Sequence, residues 1–295
     1  MADQCCGFLV LDKPAGLTSH GCVARIRRAY GLRRVGHGGT LDPAVTGVLP
    51  IALGPATRLL PYLVGDKAYE GTVQLGVRTG SDDLEGEVLE RRPVPPLEPA
   101  DLEAALALFR GAILQVPPQI SAVHLNGERA YVRARRGEQL SLAARPVTIT
   151  QLELRHWDQA TGLLSLAVRC SAGTYIRSLA RDLGEALHCG GSLATLRRTE
   201  ALGFRLEQAV ALEALASPPL PPLLDPLVAL GHLPRRRLQP SEWAGWRCGR
   251  ALEAEALHPA EQAVAVLEPD GNLAGLALAT TDGRLQPRLV FDAAG

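Results

Sequence analysis

An α+β fold built on a mixed sheet is what this sequence predicts, and three observations carry that expectation. Segments that alternate apolar and polar residues recur far apart in the chain, around Tyr69, Thr148 and Leu166. Stretches of helical periodicity, Gly21–Tyr30 and Asp101–Gly111, lie between them. Strands and helices do not alternate regularly enough for repeated βαβ units. With 295 residues, 46% hydrophobic and 21% charged, the chain suits one large globular domain, or a large one plus a small one.

Taken in order, the N-terminal MADQCCGFLVLDKP has neither a basic leader nor a long apolar core, so no signal peptide is expected. No uninterrupted apolar run reaches the length of about 18 residues that a membrane span needs. Ser19 is placed to cap a helix through GCVARIRRAY, with Gly31 as its left-handed stop. Val23, Ile26 and Tyr30 share one face of it, and Arg25 and Arg28 point elsewhere. GHGGTLDP (Gly36–Pro43) follows as a loop leading into an apolar strand, and YEGTVQLGVRTG (from Tyr69) reads as a further strand. Proline-rich Pro93–Pro99 connects to an amphipathic helix, DLEAALALFRG, ending at Gly111. PVTITQLELRHW and LLSLAVRCSAGTYIRSLA read as strands, the second continuing into a helix near Ala180–Leu187. SPPLPPLLDP (Ser217–Pro226) is the candidate linker. Beyond it, Asp-Gly pairs at 270–271 and 282–283 sit between short apolar runs, the signature of hairpins in a small β-rich module. A module of about 65 residues should lean on the larger domain.

Formal net charge is zero, so any basic surface must be local. From Lys13 to Leu41 there are six Lys and Arg residues and no acid, whereas acids dominate from Asp82 to Glu103. Basic character returns at Arg129, Arg133, Arg135 and Arg136, at Arg197–Arg198 and at Arg235–Arg237, which suits one basic face and a polyanionic partner. The six cysteines (5, 6, 22, 170, 189 and 248) form no C-x-x-C pair and favour reduced thiols in a cytosol. Cys189 beside His188 lacks the spacing of zinc ligands, and no metal is expected.

Common signatures are missing. Leu41 spoils a G-x-G-x-x-G reading of GHGGTL, no Walker lysine motif or H-E-x-x-H occurs, and GGSLA is one residue short of G-x-S-x-G. Asp42 stands out instead. Pro43 pushes its backbone towards extended geometry, and Gly36, Gly38 and Gly39 allow turns or close approaches closed to other residues. An Asp-Pro pair alone marks only a turn. Three glycines between a basic helix and an apolar strand suggest a carboxylate held for use.

Five blocks, KPAGLTS (Lys13–Ser19), GHGGTLDP with VTGVLPIALGPATR (to Arg58), DKAYEGTVQLGVRTGSDDLEG (Asp66–Gly86), CSAGTYIRSLARDLG (Cys170–Gly184) and LATLRRT (Leu193–Thr199), resemble in this order the bacterial tRNA pseudouridine synthase B family. The resemblance covers nearly the whole chain. It implies a pseudouridine synthase fold, with a central mixed or antiparallel sheet flanked by helices. A catalytic domain would span 1–228, with an RNA-binding insertion at about 112–145, and a PUA-like RNA-binding module would span 229–295. It further implies an isomerase that turns the T-loop uridine of tRNA, position 55, into pseudouridine without a cofactor, after flipping the base out of its stack.

By the same resemblance Asp42 is the catalytic carboxylate, acting as a nucleophile at the sugar or as a base at C2′. Arg177, in the strand GTYIR, would be the cation beside it, and Tyr69 would stack on the flipped base. Tyr175 and Leu196 would wall the pocket, His37 would touch RNA near the everted base, and Asp83 would help to read displaced nucleotides. Lys13, Arg129, Arg133 and Arg136 are the phosphate candidates, with Arg198 as a further substrate contact. The implied partner is the tRNA T-arm, with no protein partner and no membrane, and the implied form is a cytoplasmic monomer.

One position departs from the family's bacterial pattern: Val45 stands where alanine is usual, two residues after the proline. The VTG variant resembles RNA-guided pseudouridine synthases, whose partner-binding extensions this compact chain does not display. Two other readings compete, a non-catalytic RNA-binding protein or tRNA chaperone, and a two-carboxylate glycoside hydrolase drawing on Asp82, Asp83 or Glu85.

Overall fold

The computed structural model describes residues 5–292 apart from 122, 126, 135 and 255–257, so Arg135 of the basic cluster lies outside the described residues. The chain opens with β1 (Gly7–Lys13), almost wholly buried, and enters α1 (Ser19–Tyr30). Thr18, not Ser19, caps this helix, its hydroxyl accepting from the Gly21 N–H at 2.9 Å. The cap falls one residue earlier than expected because the Ser19 hydroxyl is engaged with Leu41. Gly31 ends the helix at φ 64°, in the left-handed conformation expected of it.

β2 (Val35–His37) and β3 (Thr46–Leu53) flank the loop that carries Asp42. The strand expected from Tyr69 onward breaks at Gly76 into β4 (Lys67–Leu75) and β5 (Val77–Thr79), and β5 pairs with β6 (Val88–Arg91). α2 (Pro99–Ala107) starts earlier than expected, with Pro99 at its beginning and the Asp101 carboxylate accepting from the Glu98 N–H at 2.9 Å. It also ends earlier, and Gly111 opens β7 (Gly111–Gln115). A small excursion follows: β8 (His124–Leu125), β9 (Glu128–Arg129) and α3 (Ala130–Ala134). The chain then returns through β10 (Arg145–Asp158), β11 (Leu163–Cys170), α4 (Ile176–Ala186), β12 (Gly191–Ala201), β13 (Phe204–Arg205) and β14 (Val210–Ala211). Arg177 is thus the second residue of α4 and not part of a strand. β11 stops at Cys170, a turn through Gly173 intervenes, and the apolar stripe of IRSLARDLGEA winds as a helix against the sheet.

The main sheet has ten strands, ordered β14-β1-β3-β12-β4-β11-β10-β7, with β2 on β3 and β13 on β12. It is mixed: β1–β14 and β3–β12 are parallel, and the other pairs are antiparallel. A bulged β12 bridges the two halves, pairing with β3 only at Arg197↔Thr46 and Arg198↔Gly47 and with β4 along its length. The seam between β3 and β12 therefore meets the Asp42 loop, the start of β4 and, across β11, the start of α4.

After α5 (Pro226–Ala229), the C-terminal part forms β15 (Arg235–Arg237), α6 (Trp243–Arg247), β16 (Leu252–Glu253), β17 (Ala263–Leu267), β18 (Leu273–Ala279) and β19 (Arg284–Val290), in a five-stranded sheet ordered β15-β17-β18-β19-β16. Both Asp-Gly pairs lie in its hairpin turns, as expected. One apolar cluster joins Phe8, Val48 and Phe204 of the large sheet to Leu230, Leu267, Leu276 and Phe291, so the small sheet leans on the large one. The proline-rich segment before it is no free tether. Leu224 exchanges two backbone hydrogen bonds with Phe8, at 2.9 and 2.7 Å, and the Tyr30 hydroxyl donates to the Pro221 carbonyl. No helix among the described residues is long and apolar enough to cross a membrane.

Candidate active site

Three side chains from three elements hold the Asp42 loop. The Ser19 hydroxyl donates to the Leu41 carbonyl at 3.1 Å and accepts from the Leu41 N–H at 2.9 Å. The Lys13 ammonium, at the end of β1, donates to the carbonyls of Pro14 (2.8 Å), Pro43 (3.0 Å) and Val45 (2.7 Å). From β12, Arg198 donates to the carbonyls of Val48 (2.8 Å) and Gly39 (3.0 Å). Backbone bonds add Gly16 N–H to the Pro43 carbonyl and Val45 N–H to the Asp42 carbonyl. Both neighbours of Asp42 are therefore fixed. Gly39 takes the left-handed φ of 81° directly over Arg198, and Gly47 (φ 101°) lets β3 approach β12, since a β-carbon there would stand 2.1 Å from the Arg198 carbonyl oxygen.

This geometry corrects two expectations. Lys13 and Arg198 were candidates for RNA contact, yet both are fully buried and committed to protein carbonyls. Burial pulls the Lys13 ammonium below the usual lysine range, and it lowers Arg198 likewise, against the opposing effect of the Tyr69 hydroxyl beside it. Their charge organises the loop from inside.

Arg177 is only 7% exposed and joins four segments. Its Nη2 lies 3.0 Å from Asp42 Oδ2 and donates to the Ile120 carbonyl at 2.9 Å. Its Nη1 donates to the Ser81 carbonyl at 2.9 Å and stands 3.7 Å from Asp83 Oδ2. Asp83 is oriented in turn, since its Oδ1 accepts from the Ser81 hydroxyl (2.5 Å) and the Glu85 N–H (3.2 Å). The start of α4 is also fastened. Gln115 exchanges two hydrogen bonds with the Tyr175 backbone, Ser178 donates to the Val116 carbonyl, and Arg181 pairs with Asp82 at 2.9 Å. In contrast to the buried guanidinium, the Asp42 side chain is 46% exposed. The cation is built in, and the acid faces out.

It faces two depressions that share Asp42, Val45, Arg177 and Leu196 as a common wall. The smaller, of ≈ 420 Å³, is also lined by Lys67, Tyr69, Arg129, Tyr131, Thr174 and Tyr175. The larger, of ≈ 760 Å³, lies towards the opposite face of β4, with Glu70, Thr72, Asp83 and Glu85. Both volumes fall in the range of small-molecule sites. Tyr69 has its ring against the main core, and burial pushes its hydroxyl above the usual tyrosine value. The structure thus gathers Asp42, Tyr69, Arg129, Tyr175, Arg177 and Leu196 around the smaller cavity and adds Asp83 beside the larger.

Other expected residues stand apart. His37, on β2, lines neither cavity. Its Nδ1 is buried without a hydrogen bond, and burial, Arg198 and His20 push its pKa down. Arg133 pairs with Glu138 at 2.7 Å, and Arg136 pairs with Glu128 and Glu138, all within the excursion after β7. Reading the sequence for chemistry missed Ser19 and Lys67. Lys67 was nevertheless legible, because on a strand residues two apart share a face and Tyr69 was already singled out.

A model of the TruB family pseudouridylate synthases (N terminal domain) matches residues 27–176, and one of the tRNA pseudouridylate synthase B C-terminal domain matches 177–220. The tRNA pseudouridine synthase B of Parasynechococcus marenigrum (strain WH8102) is 66% identical over 291 residues, covering 98% of both chains. That of Synechococcus sp. (strain WH7803) is 59% identical over 296 residues, again covering 98% of each. Among solved structures, a chain of an H/ACA RNP bound to a substrate RNA containing 2'-deoxyuridine matches with a TM-score of 0.73 at 25% identity, over 97% of this chain and 84% of that one. Matched along its length in sequence and in fold, the chain belongs to the TruB family of pseudouridylate synthases and has the pseudouridine synthase fold.

Proposed function

We propose that this chain converts the T-loop uridine of tRNA, position 55, to pseudouridine, and that it does so as a cytoplasmic monomer without a protein partner. The observation that carries this reading is the half-exposed Asp42 carboxylate held 3.0 Å from a buried Arg177 at the meeting of two cavities. A uridine inside a folded loop must leave its stack to reach such an acid. The smaller cavity would receive it, with Tyr69 against the base and Tyr175 and Leu196 as walls. Asp42 would attack the sugar or take the C2′ proton, and Arg177 would offset the carboxylate's charge throughout. Isomerisation neither gains nor loses atoms or electrons, so the chemistry asks for no cofactor. Asp83 and the larger cavity would take displaced neighbouring nucleotides, and the C-terminal sheet would serve as a PUA-like RNA-binding module.

The relatives named tRNA pseudouridine synthase B match over 98% of their length, which favours a stand-alone enzyme over an RNA-guided one. The test is incubation of unmodified tRNA transcript with the pure protein and no guide RNA, followed by mapping of pseudouridine. Product in the T-loop is expected. Asp42→Asn should lower turnover by roughly 10³-fold or more while RNA still binds. A chaperone would be indifferent to that substitution, and a guided enzyme would be inert from the outset.

A further inference from the structure

We propose that Lys67 is a phosphate-binding residue of the smaller cavity, its ammonium neutralising a phosphate of the everted nucleotide. This rests on reading that cavity as the nucleoside site. Lys67 begins β4 on the same face as Tyr69, and both line the ≈ 420 Å³ cavity with Asp42 and Arg177. Its stem passes the catalytic loop, where a β-carbon on Gly39 would stand 3.8 Å from Lys67 Cε.

The other buried cations of the site each donate to protein oxygens, although Arg198 Nη1 is left without a hydrogen bond. Lys13 has three carbonyls, Arg198 has two, and Arg177 has two carbonyls and a carboxylate at 3.0 Å. Lys67 differs. Half-buried, its ammonium forms neither a hydrogen bond nor an ion pair with any described residue. Its surroundings oppose its charge. Burial and the nearby Arg198 guanidinium both pull the ammonium below the usual lysine range. The thiol across the strand pair, Cys170, supplies no counter-charge, because burial pushes it up to about 11 and keeps it protonated.

An unpaired cation taken partly out of water is costly, and such violations are expected where a ligand completes the site. A neutral uracil carbonyl would not offset the repulsion from Arg198. Phosphate is the fully charged oxygen acceptor of a nucleotide, and lysine meets it as a point charge.

The test uses full-length Asp42→Asn protein, with and without Lys67→Met, and unmodified tRNA transcript over about 50 to 300 mM KCl. Loss of one phosphate contact should make the slope of log K against log[salt] shallower by about 0.7–0.9 and weaken binding roughly five- to tenfold at low salt. In the active background the loss should fall on KM more than on kcat, and Lys67→Arg should restore the steeper slope. Without RNA, Lys67→Met should melt at a higher temperature than its parent, because an unanswered charge is gone. Parallel salt slopes for the parent and the Met variant would overturn the assignment, and so would a Met variant that melts lower. Should the wild type isomerise no uridine, the functional reading falls, yet the salt slopes still decide the role of Lys67.

Discussion

The floor beneath Asp42 and the excursion between β7 and β10 both carry basic residues, and they use them in opposite ways. In the floor, Lys13 and Arg198 are fully buried and donate to five backbone carbonyls, those of Pro14, Gly39, Pro43, Val45 and Val48. In the excursion, Arg133 and Arg136 meet glutamates at the surface, over a small apolar cluster of Val123, Ala130, Leu140 and Leu142. A buried cation aimed at backbone fixes the course of a loop, because a charge taken out of water and the carbonyls it meets are both costly to leave unpaired. A surface ion pair fixes little and can be exchanged for a phosphate. Asp42 sits on the first kind of support. It is linked to the second by Arg177, whose Nη2 serves both Asp42 and the Ile120 carbonyl.

The largest effect should come from removing a floor cation. Lys13→Met takes the ammonium donor from the carbonyls of Pro14, Pro43 and Val45, of which Pro43 keeps only the Gly16 N–H. The expected loss is about 3 kcal/mol of stability, a fall in Tm of roughly 5 °C by thermal melting. Turnover should drop with it, since the backbone flanking Asp42 loses its anchor. A variant that melted like wild type and lost only RNA affinity would return Lys13 to the surface role that the sequence suggested.

A smaller effect tests the floor through pH. The His37 imidazole is half-buried near Arg198, and burial followed by that guanidinium pushes its pKa below the usual 6.5. The folded protein therefore holds this proton less tightly than the unfolded chain does. The neutral ring's contribution is complete above the unfolded value and is lost as pH falls through it. Wild type should thus melt a few degrees lower at about pH 5.5 than at pH 7.5 on this account, and His37→Gln should flatten the difference. An identical pH profile in both proteins would mean that the floor tolerates another cation there.

The same contrast explains what could be read in advance. Period-two alternation located β4, β10 and β11, and the Asp-Gly pairs located both C-terminal hairpins, because these signals are local. Gly31 stopped α1 for the same reason. The sequence blocks picked out Asp42, Tyr69 and Arg177, and the fold brings them to one cavity. Burial of charge was not legible. Lys13 precedes a proline at a strand end and Arg198 stands in an Arg-Arg pair, both ordinary surface settings. Only the fold surrounds them with carbonyls, Lys13 where the end of β1 meets the Asp42 loop and Arg198 where Gly47 lets β3 close onto β12. The sequence reads as a strand at Arg177 because β-branched and aromatic neighbours mask a helix start, whose fastening comes from Gln115, 60 residues before Tyr175.

The smallest structural effect, and the one that most sharpens the contrast, belongs to the excursion. Arg133 and Arg136 share Glu138, and Arg136 also meets Glu128, so the arginines are neutralised before any RNA arrives. Exposed pairs of this kind contribute little to stability. The double substitution Arg133→Ala with Arg136→Ala should therefore leave the melting temperature within about a degree of wild type. If RNA phosphates take the arginines from their glutamates, the same variant should raise KM several-fold and make the salt dependence shallower by nearly two contacts' worth. Glu138→Gln supplies the opposite arm, because freeing both arginines should tighten binding. Unchanged affinity in both variants would mean that the excursion's basic residues serve their own glutamates, leaving Arg129, on the cavity wall, as its contact with substrate.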